Sequence, residues 1–167
     1  MRVLVVVESA WGNTAAIAEA IADGLRPADV EVVTTDAADA ALPADLDLLL
    51  VGGPTQGFGM STPDTRRTAR DRGAPRVPER GIREWIDALD SAPRRIRVAT
   101  FDTRTVTPRL PGSAAKKALK QLVGLGFEPA AKAETFGVHG FEGPLADGEL
   151  GRATDWGGSL AQVVAAG

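Results

Sequence analysis

Ser9, Gly12, Asn13 and Thr14 crowd into one short turn of the stretch VLVVVESAWGNTAAIAEAIADG, between five consecutive apolar residues and an alanine-rich segment with helical spacing. A mere connection does not need so many hydroxyl, amide and backbone donors; an anion does. The first N–H groups of a helix have no partners within it, and the helix dipole adds partial positive charge at that end. Ser9, Asn13 and Thr14 add side-chain donors, and Gly12 lets a ligand approach the backbone. The turn holds no Lys or Arg, so a phosphate bound there is held by neutral hydrogen bonds alone. The competing reading is an N-capped turn that binds nothing.

Two later stretches, 52–63 and 101–113, are similarly rich in Gly, Ser, Thr or Pro. Other chemistry is sparse. The chain has no cysteine, which excludes disulfides, thiolate chemistry and Cys-ligated metals. His139 is the only histidine, and a lone His is more often a surface or capping residue than a catalyst. There is no G-x-x-x-x-G-K-S/T, no G-x-G-x-x-G after the first strand and no strand-to-helix G-x-S-x-G. A phospho-accepting receiver needs an Asp at the end of its third strand and a Lys after its fifth. Those regions read LVGGPT and GVHGF, and Glu8 is a lone acid. No catalytic residue and no metal ligand is assigned.

These loops need elements to hold them. Arg2–Val7 reads as a strand buried on both faces, and Asn13–Leu25 as a helix with Ile17, Ile21 and Leu25 on one face. Val30–Thr35 and Leu46–Val51 read as strands, the latter stopped by Gly52-Gly53-Pro54. Gly81–Leu89 reads as a helix that buries Trp85, Arg95–Phe101 as a strand, and Ser113–Leu125 as a helix capped by Ser113. Glu128–Val138 is the fifth strand, and Leu150–Val164 the last helix, packing through Trp156 and interrupted or bent near Gly157-Gly158. Such alternation implies a parallel sheet of order 2-1-3-4-5 with helices on both faces. Its ligand crevice lies at the carboxyl ends of strands 1 and 3, where 8–14, 52–63 and 101–113 converge.

Bulk properties agree with one domain. The 167 residues are 44% apolar and 25% charged, and no apolar run approaches the ~20 residues of a membrane span. The amino terminus lacks the pattern of a secretory leader, so a cytoplasmic location is the default expectation. The net charge of −3 argues against general nucleic-acid binding.

VVVESAWGNTAAIAEAIADGL resembles the phosphate loop of flavodoxins, which typically reads Ser/Thr-x-Thr-Gly-x-Thr after the first strand. LLLVGGPTQGFGM resembles their second flavin loop, and RVATFDT the strand and start of the third. The resemblance implies a flavodoxin-like three-layer α/β sandwich over 1–167, with an insertion at about 61–80. It implies FMN as cofactor and electron transfer as function. The implied phosphate-loop residues are Ser9, Ala10, Trp11, Gly12, Asn13 and Thr14. Trp11 departs from the usual Thr, and Ala10 from a frequent Thr or Ser.

The implied ring loop is Pro54, Thr55, Gln56, Gly57, Phe58 and Gly59. In it Phe58 is the stacking candidate, Met60 a weaker one, and Gly57 the glycine whose peptide can flip. Alternatively the glycines form only a tight turn and Phe58 fills a core edge. In the third loop, after Phe101, the residues Asp102, Thr103 and Arg104 are candidates for the pyrimidine edge. Arg104 or Arg109 near the ring favours an anionic reduced flavin, unless Arg104 simply pairs with Asp102. The family's frequent Tyr is absent, since the chain has no Tyr.

The segment Ser61–Arg83 holds seven Arg against Asp64, Asp71 and Glu79. It reads as a docking patch for an acidic redox partner, a subunit interface, a lid over the flavin, or a solvated and partly disordered loop. Three functions follow. The first is an electron carrier served by a reductase and an acceptor protein. The second is an FMN-dependent oxidoreductase acting on a quinone or porphyrinogen. The third is a flavin-free flavodoxin-like binding or regulatory module.

Overall fold

The computed structural model describes residues 1–92 and 95–167. Six strands, β1 (Arg2–Val7), β2 (Asp29–Thr34), β3 (Leu48–Pro54), β4 (Arg97–Thr105), β5 (Glu128–Pro129) and β6 (Glu134–Val138), form one parallel sheet. Its order is β2-β1-β3-β4-β5, with β6 also on β4. The helices are α1 (Asn13–Leu25), α2 (Pro63–Asp71), α3 (Ile82–Asp87), α4 (Ala114–Gly124) and α5 (Glu149–Ala166). No helix of the described residues is long and apolar enough to cross a membrane.

Alternation along the strands divides the core in two. Leu4, Val6, Leu49, Val51 and Val98 meet Ile82, Trp85 and Ile86 of α3 and Ala118 and Leu122 of α4. Val3, Val5, Leu48, Leu50, Ala99 and Phe101 meet Ile17, Ile21 and Leu25 of α1 and Ala153 and Leu160 of α5. Trp156 of α5 meets Phe101 and Phe136 edge-on, at centroid distances of 6.4 and 6.2 Å. Helices thus cover both faces of the sheet, as an all-parallel sheet requires.

Several expected boundaries shift. β1 and α1 fall where their patterns place them, and β2 starts one residue early. β3 is not stopped by its glycines. It runs through Gly52 and Gly53 because they pair with Phe101 and Asp102, and a Cβ on Gly52 would overlap the Phe101 ring. β4 runs to Thr105 rather than Phe101, since Phe101–Thr105 pairs with β6. The single fifth strand is instead two pieces, separated at 130–133, both on β4.

Helix α5 is continuous through Gly157-Gly158, not interrupted. Those glycines serve helix packing. A Cβ on Gly157 would overlap the Ile21 carbonyl oxygen, and one on Gly24 the Thr154 carbonyl oxygen. The two backbones touch where side chains would hold them apart.

The arginine-rich segment is ordered rather than a solvated loop. Thr62 and Thr65 form a reciprocal capping box at the start of α2. Arg66 is 3% exposed and pairs with Glu84 of α3. The Arg80 guanidinium donates to the carbonyls of Thr35 and Ala38, and that of Arg83 to Met60 and Ser61. Three of the seven arginines therefore bind the segment to the rest of the fold.

Candidate functional site

The loops after β1, β3 and β4 meet at the carboxyl edge of the sheet around a cavity of about 250 Å³. The first loop gives it Ala10, Trp11, Asn13 and Thr14. The second gives Pro54, Thr55, Gln56, Gly57 and Phe58, and β4 gives Thr103 and Arg104. Residues that sequence reasoning did not single out complete it: Thr65, Thr68, Ala69 and Arg72 of the α2 region, Thr105, Leu110, Pro111, and Val138, Gly140 and Phe141 after β6. The Arg72 guanidinium sits over the Phe141 ring at 4.2 Å, joining the two sides of the mouth.

The first turn is built to leave donors open. Gly12 caps α1 at φ 97°, a left-handed conformation that favours glycine. Ser9 Oγ accepts the N–H groups of Gly12 and Ala15, both at 3.2 Å. Among the described residues the N–H groups of Trp11, Asn13 and Thr14 make no hydrogen bond. Ser9 is thus a turn-former on the far side of the loop, where with Gly12 it lines a second cavity of about 650 Å³ next to Thr35 and Arg76. Trp11 lines both cavities. The Asn13 amide donates to the Glu142 carbonyl at 2.9 Å, tying this turn to the 139–148 loop. Thr14 Oγ1 and Thr103 Oγ1 are 2.7 Å apart and buried, joining the first and third loops.

The second loop is a two-residue hairpin. Gln56 and Gly59 exchange both backbone hydrogen bonds, at 2.9 and 3.2 Å. Gly57 and Phe58 between them have φ 56° and 70°. Positive φ at both central residues is the type I′ pattern, in which glycine, asparagine and aspartate dominate. Phe58 is the only described non-glycine residue with positive φ. The residue is 54% exposed at the cavity mouth rather than filling a core edge. Gly59 lies off the cavity, beside Lys117, whose Nζ would be 2.9 Å from a Cβ there. Met60 is buried in the core.

The third loop departs most from expectation. Phe101 is core, and Asp102 is fully buried without lining the cavity. Asp102 Oδ2 accepts from Thr55 Oγ1 at 3.0 Å, Ser113 Oγ at 2.6 Å and the Ala115 N–H at 3.0 Å. This carboxylate therefore locks the second loop and the start of α4 together. Its Oδ1 has no partner among the described residues. Arg104 does not pair with Asp102; its Nη1 donates to the Gly112 carbonyl at 2.8 Å while the side chain lines the cavity. A Cβ on Gly112 would overlap the Phe58 backbone, so the third loop packs on the second. His139 is exposed and lies outside the cavity.

Behind the first loop lies a cluster that sequence reasoning missed. Glu8, 2% exposed, accepts Ser61 Oγ at 2.5 Å and the Ile82 N–H at 2.8 Å, and Arg66 donates to Ser61 at 2.7 Å. Burial pushes the Glu8 carboxyl above its ordinary value, against the lowering pull of Ser61, Ile82 and Arg66. A Cβ on Gly81 would crowd Glu8, Arg66 and Ser61 alike.

A flavin mononucleotide fits these residues. The unpaired N–H groups at the start of α1 match a phosphate. Apolar and aromatic walls match a ring, and Gln56 Oε1, a buried acceptor without a partner, matches a ring N–H.

The flavodoxin family model matches residues 5–82. No curated protein matches the chain. A flavodoxin from the domain Archaea has a similar structure, with TM-score 0.70, 20% identity and 99% of both chains covered. The Streptococcus pneumonia TIGR4 flavodoxin gives TM-score 0.68 at 16% identity, over 97% of this chain and 99% of its own. The flavodiiron core of Flv1 from Synechocystis sp. PCC6803 gives TM-score 0.66 at 18% identity, over 99% of this chain and 36% of its own. With a family match over residues 5–82 and this fold over nearly its whole length, the chain has a flavodoxin-like fold.

Proposed function

We propose that the protein binds FMN at this cavity and carries electrons between partner proteins, a reductase and an acceptor. The observation that supports it best is the junction of two features: unpaired N–H groups at the start of α1 and an apolar cavity rimmed by Phe58 and Trp11 beside them. Bound FMN supplies a ring that takes up and releases electrons near the protein surface. The Trp11, Asn13 and Thr14 N–H groups hold the phosphate without a cation. Phe58 and Gln56 are the residues that would hold the ring, by stacking and by accepting a hydrogen bond, and the Arg104 charge would favour a reduced, anionic form.

The experiment is a visible absorption titration of the purified protein with FMN and with riboflavin. Tight FMN binding with much weaker riboflavin binding supports the phosphate cradle. Binding of neither at tens of micromolar overturns the reading and leaves a flavin-free interaction module. A second reading, an FMN-dependent oxidoreductase acting on a small acceptor such as a quinone, is favoured by one feature. The α2 wall and the Arg72–Phe141 contact bound the mouth on two sides, as a substrate pocket over the ring would require. Turnover of a quinone with a nicotinamide donor, without a separate reductase, distinguishes it.

A further inference from the structure

We infer that the cavity end of the molecule is a docking face for a small acidic redox protein. The inference rests on the flavin reading for its purpose and on the surface itself for its chemistry. Phe58, Leu110 and Phe141, 54%, 42% and 63% exposed, all stand at the cavity mouth. Apolar side chains gathered around one opening mark an interaction surface more than singly scattered ones do.

Four cations stand around this patch, with Glu142 beside Phe141 and Asp71 beside Arg72 as the neighbouring acids. Arg72 and Arg104 line the cavity, and no Asp or Glu does. Arg109 follows the loop tip next to Leu110, and Lys117 lies beside the 56–59 hairpin. Among the described residues none of these four forms a salt bridge. The arginines that do structural work, Arg66, Arg80 and Arg83, are elsewhere in the segment.

The whole chain carries −3, so these cations are a local concentration and not a general excess. The opposite edge is mixed: Asp29, Asp45, Asp47 and Glu128 stand there with Arg2 and Arg97, and Arg2 pairs with Asp45. The unpaired cations beside the apolar patch therefore suit an acidic surface better than a basic one. In a productive encounter the partner's metal cluster loses one electron and the bound flavin gains it; no bond forms between the proteins.

Two readouts test this, with a small acidic iron–sulfur protein as the probe and a small basic haem protein as the control. Carbodiimide joins a carboxylate to an amine, so the acidic probe cross-links to Lys117 and mass spectrometry locates the bond. This readout needs no flavin. It succeeds or fails independently of the cofactor reading, which the flavin spectrum tests. In stopped flow, reduction of the FMN-loaded protein by the acidic probe slows as ionic strength rises. Arg109→Glu with Lys117→Glu slows it by about tenfold or more at low salt with flavin content unchanged. No cross-link at Lys117, a cross-link there to a second copy of this chain, retention of a DNA duplex by the face in preference to the probe, or faster reduction by the basic protein at low salt each overturns the inference.

Discussion

Phe58 is held in a backbone conformation that suits glycine, and the residue is half exposed. Replacing it separates two quantities that usually move together. A phenylalanine presents on the order of 200 Å², so the exposed half is about 100 Å². A flat ligand covering one face of it removes about 50 Å² from water, worth about 1 kcal/mol at about 25 cal/mol per Å². Ring-on-ring geometry adds ~0.5–1.5 kcal/mol. The sum of about 2 kcal/mol corresponds to roughly 30-fold in FMN affinity.

Phe58→Ala and Phe58→Gly lose this equally. Their stabilities differ, however, because alanine keeps the left-handed strain of ~1–2 kcal/mol and glycine exchanges it for ~0.5–1 kcal/mol of chain entropy. Phe58→Gly is therefore the more stable variant by about 1 kcal/mol, or ~2–4 °C in Tm for a chain of this size. FMN titration and thermal unfolding of both apoproteins check the two numbers. An affinity within threefold of the parent refutes contact between ring and flavin. A Phe58→Ala protein as stable as Phe58→Gly refutes the strained turn.

The other predictions concern the supports of the site. Gly157→Ala gains ~1 kcal/mol of helix propensity but must push α5 off the Ile21 carbonyl; overpacking costs ~1–3 kcal/mol or more. It lowers the urea midpoint, whereas Gly151→Ala, with nothing within 4 Å of its new Cβ, raises it on the same helix. Equal shifts in the same direction refute close backbone packing. Glu8, raised above its ordinary value of 4.5, binds more protons folded than unfolded. Its contribution to stability is complete below that pH and is lost as pH rises through the folded value. Urea midpoints from acid to neutral pH therefore fall less steeply for Glu8→Gln than for the parent; parallel curves refute the buried-acid account.

Local signals read well. β1 and α1 each carry their own pattern of burial, and the Ser113 cap is visible because a hydroxyl one residue before a helix has one main use. Positions set by distant partners did not read. β3 crosses two glycines because β4 pairs with them, and β4 extends because β6 does. Asp102 and Thr103 are neighbours in sequence but face opposite layers, Asp102 toward α4 and Thr103 toward α1. A strand's alternation makes that split unavoidable once the registry is known. Glu8 finds Ser61 and Ile82, 53 and 74 residues away, and nothing local signals either partner. The break in α5 was expected from glycine's helix propensity, but a neighbouring helix turned the same glycines into contact points.

The interrupted fifth strand has a consequence for how the molecule meets its own kind. The outer margins of a sheet offer unpaired backbone groups to any passing extended chain. Here one margin is β5 and β6, two short pieces split at 130–133 with Pro129, which has no N–H to give, in the first. The other margin is β2, which carries Asp29 and Glu31 outward at every second position. Each is a poor template for adding another strand, so the fold resists fibril-like stacking.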